Sequence, residues 1–260
     1  MKRILVFGYG IVAYAIFFLT FLYAVGFVGN LVVPKSMDSL LQTPFWWALI
    51  LDTVLLGVFA LQHSVMARPA FKAWWTRIVP QAMERSTYVL FTSLALILLF
   101  WQWQPIGGVV WDVQDAVARG VLYGLFASGW LLVLVTTFLI NHFDLFGLRQ
   151  VWLYLRDKPY TSLRFVTPGP YRMVRHPLYV GWLFAFWATP TMTATHLVFA
   201  IATTAYILIA IQFEERDLIQ AHGGDYAAYR KRVPMLLPRW PRGSRTPGGR
   251  IAAQTQADGS

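Results

Sequence analysis

The sequence predicts an all-α fold, a polytopic transmembrane helical bundle of about six spans whose last two form a helical hairpin, with both termini on the cytoplasmic side. Three observations predict it. First, 57% of the residues are apolar and 17% aromatic, while only 13% are charged, against about a quarter in soluble domains; the mean hydropathy is +0.50. Second, the apolar residues are gathered into runs of the roughly 20 residues that a bilayer crossing requires. Third, the loops between those runs alternate in charge. Spans of that number use most of the 260 residues and leave no room for a large soluble partner domain.

The first run, Ile4–Val28, follows Lys2 and Arg3 as a signal peptide would, but it is too long for one and has no small-residue cleavage site. It reads as a retained anchor. Phe45–Gln62, Tyr88–Trp103 and Gly120–Ile140 are three further uninterrupted runs. Leu178–Ala194 and His196–Phe213 are shorter and are joined around Pro190–His196, which reads as a tight hairpin with a short first limb. Trp46, Trp47, Trp101, Trp103, Trp111 and Tyr123 lie near span ends, where indole and phenol groups form interfacial belts. No internal repeat is present, and the tail 240–260, rich in Gly, Pro, Arg, Ser and Gln, reads as disordered.

Charge orients the bundle. Residues 31–44 carry one Lys and one Asp, residues 105–119 carry Asp112, Asp115 and Arg119, and the hairpin tip carries no charge. Residues 64–87, 141–177 and 214–250 are rich in Arg; of the 22 Lys and Arg, all but Lys35 and Arg119 lie on the side of the N-terminus. The positive-inside rule makes that side cytoplasmic. The net charge of +10 is therefore topological and does not call for nucleic acid. The absence of cysteine excludes disulfides, iron–sulfur clusters, thiolate zinc sites and a cysteine nucleophile.

Ionisable groups at the mouth of a span are costly and mark function. His63 ends the second run, Asn141, His142 and Asp144 end the fourth, His176 opens the fifth, and Glu214 and Glu215 end the sixth. All fall at the cytoplasmic level, so four helices could line one pocket there. Taken alone, His63 serves as well as a helix-end cap, since the helix dipole favours His at a C-terminus. Asp52 lies nearer the opposite face and reads as a local cap or pair; His196 at the hairpin tip and His222 before Gly223-Gly224 read as structural. Histidines at one level can bind a metal, but no His pair at i,i+4 and no His-x-x-Glu spacing supports one, so the expectation is no metal.

The most specific string is Gly169-Pro170-Tyr171-Arg172-Met173-Val174-Arg175-His176-Pro177-Leu178-Tyr179-Val180-Gly181. Pro177 suits a first helical turn, and that turn would present Arg175, His176 and Tyr179 beside unpaired backbone N–H groups, a setting for an anion. After the hairpin, Glu214-Glu215-Arg216-Asp217-Leu218 returns to the same face. Past the Gly223-Gly224 stop, Asp225 can cap a short amphipathic helix carrying Tyr226, Tyr229 and Arg230, ended before Pro234.

The Arg-His-Pro-x-Tyr-x-Gly string, the hairpin, the Glu-Glu-x-x-Leu and the Tyr-x-x-Tyr-x-x-x-Val-Pro tail resemble the isoprenylcysteine carboxyl methyltransferase and phospholipid methyltransferase superfamily over residues 165–238. The upstream Asn141-His142-Phe143-Asp144-Leu145-Phe146-Gly147-Leu148-Arg149-Gln150 and the extra N-terminal spans resemble its NnrU-like branch, and within it the bacterial methanethiol S-methyltransferase family. This resemblance implies a bacterial inner-membrane enzyme, with helices 1–4 in residues 1–140 and a methyltransferase core in 141–239. It implies S-adenosylmethionine as cofactor, although no Gly-x-Gly-x-x-Gly follows a strand. Its pattern implies cofactor contacts from Tyr171, Arg175, His176, Tyr179, Glu214, Glu215, Tyr226, Tyr229 and Arg230, with Arg175 the natural fork for the methionine carboxylate and Arg230 a second candidate. The tyrosine pair serves equally as an interfacial anchor. The acceptor implied is a small thiol, methanethiol giving dimethyl sulfide, or hydrogen sulfide giving methanethiol; the alternatives are a prenylated or lipid acceptor, or a non-enzymatic NnrU-like protein of nitrogen-oxide metabolism. Thiol methylation needs positioning and thiolate formation. His142, oriented by Asp144 or helped by His63, is the candidate base, and Arg149 could stabilise the thiolate. The small residues on the spans leave the oligomeric state open.

Overall fold

The computed structural model describes residues 1–40 and 43–238; the expected disordered tail 240–260 lies outside them. Helix α1 (Lys2–Gly29) is the N-terminal span, and Asn30 in the left-handed region ends it by donating to the Gly26 carbonyl. Helix α2 (Phe45–Ala67) stops where Arg68 turns extended ahead of Pro69, as residues before proline do. The short α3 (Pro69–Trp75) follows, then α4 (Gln81–Gln102). Helix α5 (Ala116–Ile140) is capped by Asp115, which accepts from Ala118 N at 2.8 Å. The turns α6 (His142–Leu145) and α7 (Leu148–Leu155) lie beyond its far end, and α8 (Pro177–Trp187) and α9 (Ala194–Arg232) complete the chain.

Helices α1, α2, α4, α5 and α9 are long and apolar enough to cross a membrane. Helix α8 is not, so among the described residues five helices reach that length against the expected six spans, and α8 is the hairpin's short first limb. Its 11 residues rise about 16 Å, roughly half a hydrocarbon core. It ends early because Thr189, preceding Pro190, is kept out of helical geometry. The fold is also not purely helical. Strands β1 (Val109–Asp112) and β2 (Thr191–Thr193) form a two-stranded antiparallel ribbon with Trp111 opposite Met192 and Asp112 opposite Thr191. The ribbon satisfies backbone groups that a helix would otherwise have bonded internally, an obligation near lipid. Thr193 then caps α9 by accepting from His196 N at 3.0 Å.

α8 lies against α5, and this contact sets the position of the Arg-His-Pro motif. A Cβ at Gly129 would meet Ala185 N at 2.6 Å and Gly181 O at 2.7 Å, and one at Gly181 would meet Gly129 O at 2.8 Å. The two backbones touch, as small-residue crossings allow. Gly10 likewise admits Val151 of α7 onto α1, whereas Gly8 and Gly124 face open space. The core of Phe27, Leu99, Phe100, Trp103, Phe199 and Ile211 fills the middle of the bundle. Trp103 is wholly buried there, between Phe27 and Phe199 rings, and so is not part of the interfacial belt. Trp46, Trp47, Trp101 and Trp111 are exposed. At the β1–β2 end, Asp52 is buried and accepts from Gln104 N at 2.9 Å, the local role read for it. His196 is buried and its Nε2 donates to Phe186 O at 2.8 Å.

Candidate active site

The motif is built at the other end, where α8 begins and α9 runs past it. The turn Gly169–Arg172 leads to Arg175 and His176, whose backbone N–H groups donate to Pro234 O (2.8 Å) and Met235 O (3.2 Å). The chain following α9 is thereby stitched to the chain preceding α8. Glu215 is the hub. Its Oε1 accepts from Arg175 Nε at 2.7 Å and from His176 Nε2 at 3.1 Å, and its Oε2 is ion-paired with Arg230 Nε at 2.9 Å. The Glu215 side chain is 4% exposed, so this charge is compensated by geometry rather than by water. Arg175 Nη1 donates to the Arg230 and Val233 carbonyls at 3.0 and 2.6 Å. Its Nε and Nη1 are thus engaged within the protein.

The neighbouring carboxylate is presented differently. Glu214 has a side chain 43% exposed; its Oε2 accepts from Tyr179 OH at 2.8 Å and lies 3.9 Å from His176 Nδ1. Gly223, at φ 54° and ψ −126°, kinks α9 at the expected stop and turns Tyr226 and Tyr229 back toward the hub. Tyr229 OH donates to Tyr171 O at 2.6 Å. Phe165 stands against Tyr226 and Tyr229 at centroid distances of 5.7 and 5.5 Å. Tyr226 is 2% exposed, and its hydroxyl has no hydrogen-bond partner among the described residues. A buried, unpaired hydroxyl beside carboxylates and aromatic faces is costly and marks where a polar ligand would bond. Burial and the nearby Glu214 raise the Tyr171 phenol above its ordinary pKa, keeping it a neutral donor. All nine residues expected at the cofactor therefore share one locus.

The expected catalytic group does not. His142 Nδ1 lies 2.8 Å from Thr137 Oγ1, and that hydroxyl already donates its proton to Leu134 O at 2.7 Å. The imidazole must therefore donate from Nδ1. Its Nε2 accepts from Tyr14 OH at 2.8 Å, and the ring stacks on Phe138 at 4.1 Å. Both nitrogens are engaged, and burial lowers the imidazole pKa below its usual value. Asp144 is not its orienting partner. It accepts instead from Arg149 Nη1 at 2.8 Å and Tyr160 OH at 3.3 Å, while Arg149 also donates to Thr161 O and Oγ1, each at 2.9 Å.

His63 sits elsewhere, between α2 and α4. Tyr88 OH is 3.0 Å from its ring nitrogens and Thr92 Oγ1 is 3.3 Å from Nδ1. One turn on, Arg68 Nη1 pairs with Asp217 of α9 at 3.0 Å. Beside His63, Ser64 Oγ bonds Tyr206 OH at 3.0 Å.

Comparison with known proteins shows the family. A family model described as phospholipid methyltransferase matches residues 120–224, from α5 to the kink in α9. Methanethiol S-methyltransferase of Crocosphaera subtropica is 60% identical over 238 residues, 92% of this chain and 93% of that protein. Its counterpart in Mycobacterium tuberculosis is 56% identical over 241 residues, 93% and 98% of the two chains. The chain belongs to the methanethiol S-methyltransferase family. It is accordingly a methyltransferase, and a methyl donor is implied by that membership. Nurim of Sus scrofa is also similar, 32% identical over 190 residues, 70% of each chain. No solved structure matches.

In this methanethiol S-methyltransferase family member, sequence reasoning did not single out Phe165, Tyr88, Tyr206 or Ser64 beside these groups, nor the Tyr14 and Thr137 hydroxyls that bond His142. Tyr206 and Tyr14 carried a signal: each is a phenol in the interior of an apolar run rather than at its interfacial end. Phe165 carried none, since it precedes the motif in an irregular segment.

Proposed function

We propose that this chain transfers a methyl group from S-adenosylmethionine to a small thiol, methanethiol giving dimethyl sulfide, at the arginine-rich end of its bundle. We infer that this end faces the cytoplasm from the inner membrane, on the bias of Lys and Arg toward it. The names of the full-length relatives support the acceptor. The observation that carries the cofactor is the unpaired Tyr226 hydroxyl, buried among Phe165, Tyr229 and the two carboxylates. S-adenosylmethionine, when bound, supplies a methyl carbon on a cationic sulfonium, open to in-line displacement by a sulfur lone pair.

The residues fit such a group. Aromatic faces favour a cation desolvated beside them, and Phe165, Tyr226 and Tyr229 offer three. Glu214, partly exposed and held by Tyr179, is suited to an ammonium or ribose hydroxyls. Tyr226 OH is free to donate. Glu215, Arg175, His176 and Arg230 act by holding the walls: together they fix the start of α8 to the end of α9, which preorganises the cradle. We assign His142, Asp144 and Arg149 to the support of α5, α6 and the segment around Thr161 rather than to proton transfer, since their polar atoms are already engaged.

Equilibrium binding of labelled S-adenosylmethionine to purified protein, followed by headspace analysis after methanethiol is added, tests the reading. Saturable binding and dimethyl sulfide are the expected results. Methyl transfer to co-purified lipid and not to methanethiol would move the acceptor to the lipid class, and absence of saturable binding would remove the cofactor assignment.

A further inference from the structure

Four hydroxyls and an imidazole gather inside the bundle with no part in the cofactor cradle. They come from separate helices: His63 and Ser64 from α2, Tyr88 and Thr92 from α4, and Tyr206 from α9. The contacts are direct, at 3.0 to 3.3 Å. Phe59 closes one side, stacked on His63 at 5.4 Å and edge-on to Tyr206 at 6.3 Å. Polar groups at this depth in apolar helices are expensive and call for a purpose. The cluster also adjoins the cradle along α9: Tyr206 stands on that helix two turns before Glu214, which the Tyr179 hydroxyl holds. Arg68–Asp217 pins the same faces of α2 and α9 one turn further on.

The hydrogen-bond inventory leaves the two nitrogens of His63 sharing one hydroxyl. The Tyr88 hydroxyl is 3.0 Å from both ring nitrogens, but it has a single proton. Thr92 stands by Nδ1 alone. Among the described residues Nε2 therefore has only the Tyr88 hydroxyl, which it shares with Nδ1. His142 is the reverse case, with a dedicated partner on each nitrogen.

Resting on the cofactor reading above, we infer that the acceptor thiol binds between α2, α4 and α9, its sulfur against the Tyr206 and Tyr88 hydroxyls, and gives its proton to His63 Nε2. The S–H bond breaks, the proton becomes the second N–H of the imidazole, and the sulfur keeps the electron pair with which it attacks the methyl carbon. As the new C–S bond forms, the pair of the old one returns to the donor's sulfur. Neutral hydroxyls suit a thiolate that must remain nucleophilic, because they stabilise it less than a cation would. Side chains already bonded to one another at 3.0 to 3.3 Å leave a prenyl or acyl chain no room, so the site takes only a methyl or hydrogen substituent on sulfur.

The lack of cysteine makes a site-directed test clean. Ser64→Cys is treated with methyl methanethiosulfonate without cofactor, and the rate of methylthiolation is followed by mass spectrometry. Dimethyl sulfide is expected to slow labelling of Ser64→Cys and to leave Ala127→Cys, in the apolar recess lined by Val25, Tyr123 and Trp130, unaffected; equal rates with and without it overturn the proposal. In turnover, Tyr206→Phe is expected to raise KM for methanethiol about tenfold, and His63→Gln to lower kcat on the order of a hundredfold. The His63→Gln loss should shrink with a more acidic fluorinated thiol of similar size, a response that a merely structural histidine would not give. Both variants should bind S-adenosylmethionine as the parent does. Parental kcat and KM in both variants would sink the pocket while leaving the cofactor reading intact; a parent protein that binds no S-adenosylmethionine would sink that reading instead, and the labelling result would still decide the pocket.

Discussion

Two adjacent glutamates show how position, not residue type, sets a role. Glu215 is buried and triply paired, whereas Glu214 is half-exposed and held by one phenol. Glu214→Gln should therefore leave the fold intact and weaken S-adenosylmethionine by roughly ten- to a hundredfold, the range for a lost charged hydrogen bond, read by calorimetry. Tyr226→Phe removes a hydroxyl with no partner among the described residues. Its unfolding midpoint should be unchanged or higher, while cofactor affinity falls about three- to tenfold; an equal loss of both would show the hydroxyl to be structural. His142 makes a prediction in pH. Burial depresses its pKa in the folded state, so the unfolded chain binds more protons between that lowered value and about 6.5. Stability then rises with pH across this window, is complete above about 6.5 and is lost on acidification. Thermal scans in detergent should show an acid-side decline that is reduced in His142→Gln, with turnover at neutral pH little affected.

At the scale of elements, the C-terminal part of α9 and the start of α8 form one latched unit. Glu215→Gln would leave Arg175 and Arg230 without their counter-charge at a site where Glu215 is 4% exposed. Breaking one partner of a buried pair costs about 3–5 kcal/mol. Limited proteolysis should cut near residues 230–235 in the variant and not in the parent. The α5–α8 crossing is the second sensitive element. Gly181→Val puts a branched side chain where a single Cβ already meets Gly129 O at 2.8 Å and Val133 N at 2.9 Å. Overpacking of this kind costs typically 1–3 kcal/mol, and here the obstacle is backbone, so a lowered unfolding midpoint and weaker cofactor binding should appear together. By contrast, Arg68–Asp217, with about a third of each side chain exposed, should contribute under about 1 kcal/mol.

For the whole molecule, the division of labour runs along the membrane normal. One end carries the ribbon β1–β2, Asp52 and His196; the other carries the Arg-His-Pro latch, the aromatic cradle and the basic loops. The orientation predicted from charge is tested in the cysteine-free background. An impermeant maleimide should label Gln114→Cys in intact spheroplasts and Lys158→Cys only after permeabilisation; the reverse pattern inverts the bundle. The short α8, with its close approach to α5, brings the latch to α9 without needing a full span of its own.

Four of the expected spans match helices to within a few residues at most ends, because a run of apolar side chains at this length has one stable answer in lipid. The Arg-His-Pro string and the paired glutamates were likewise legible, since rigid prolines and intramembrane charges are local and costly. The early end of α8 was legible in principle from Pro190, but its ribbon partner β1 lies some 80 residues away and local pattern does not report pairing. The contrast between His63 and His142 was closed to sequence. Each is a histidine at a helix end, and what separates them is whether Thr137 and Tyr14, or a single shared Tyr88, stand opposite the ring. Composition and charge by themselves determined a membrane bundle with a polar, basic end. Only the tertiary structure decided which polar atoms of that end are spent on one another and which are left for a ligand, because hydrogen-bond saturation is a property of neighbours in space.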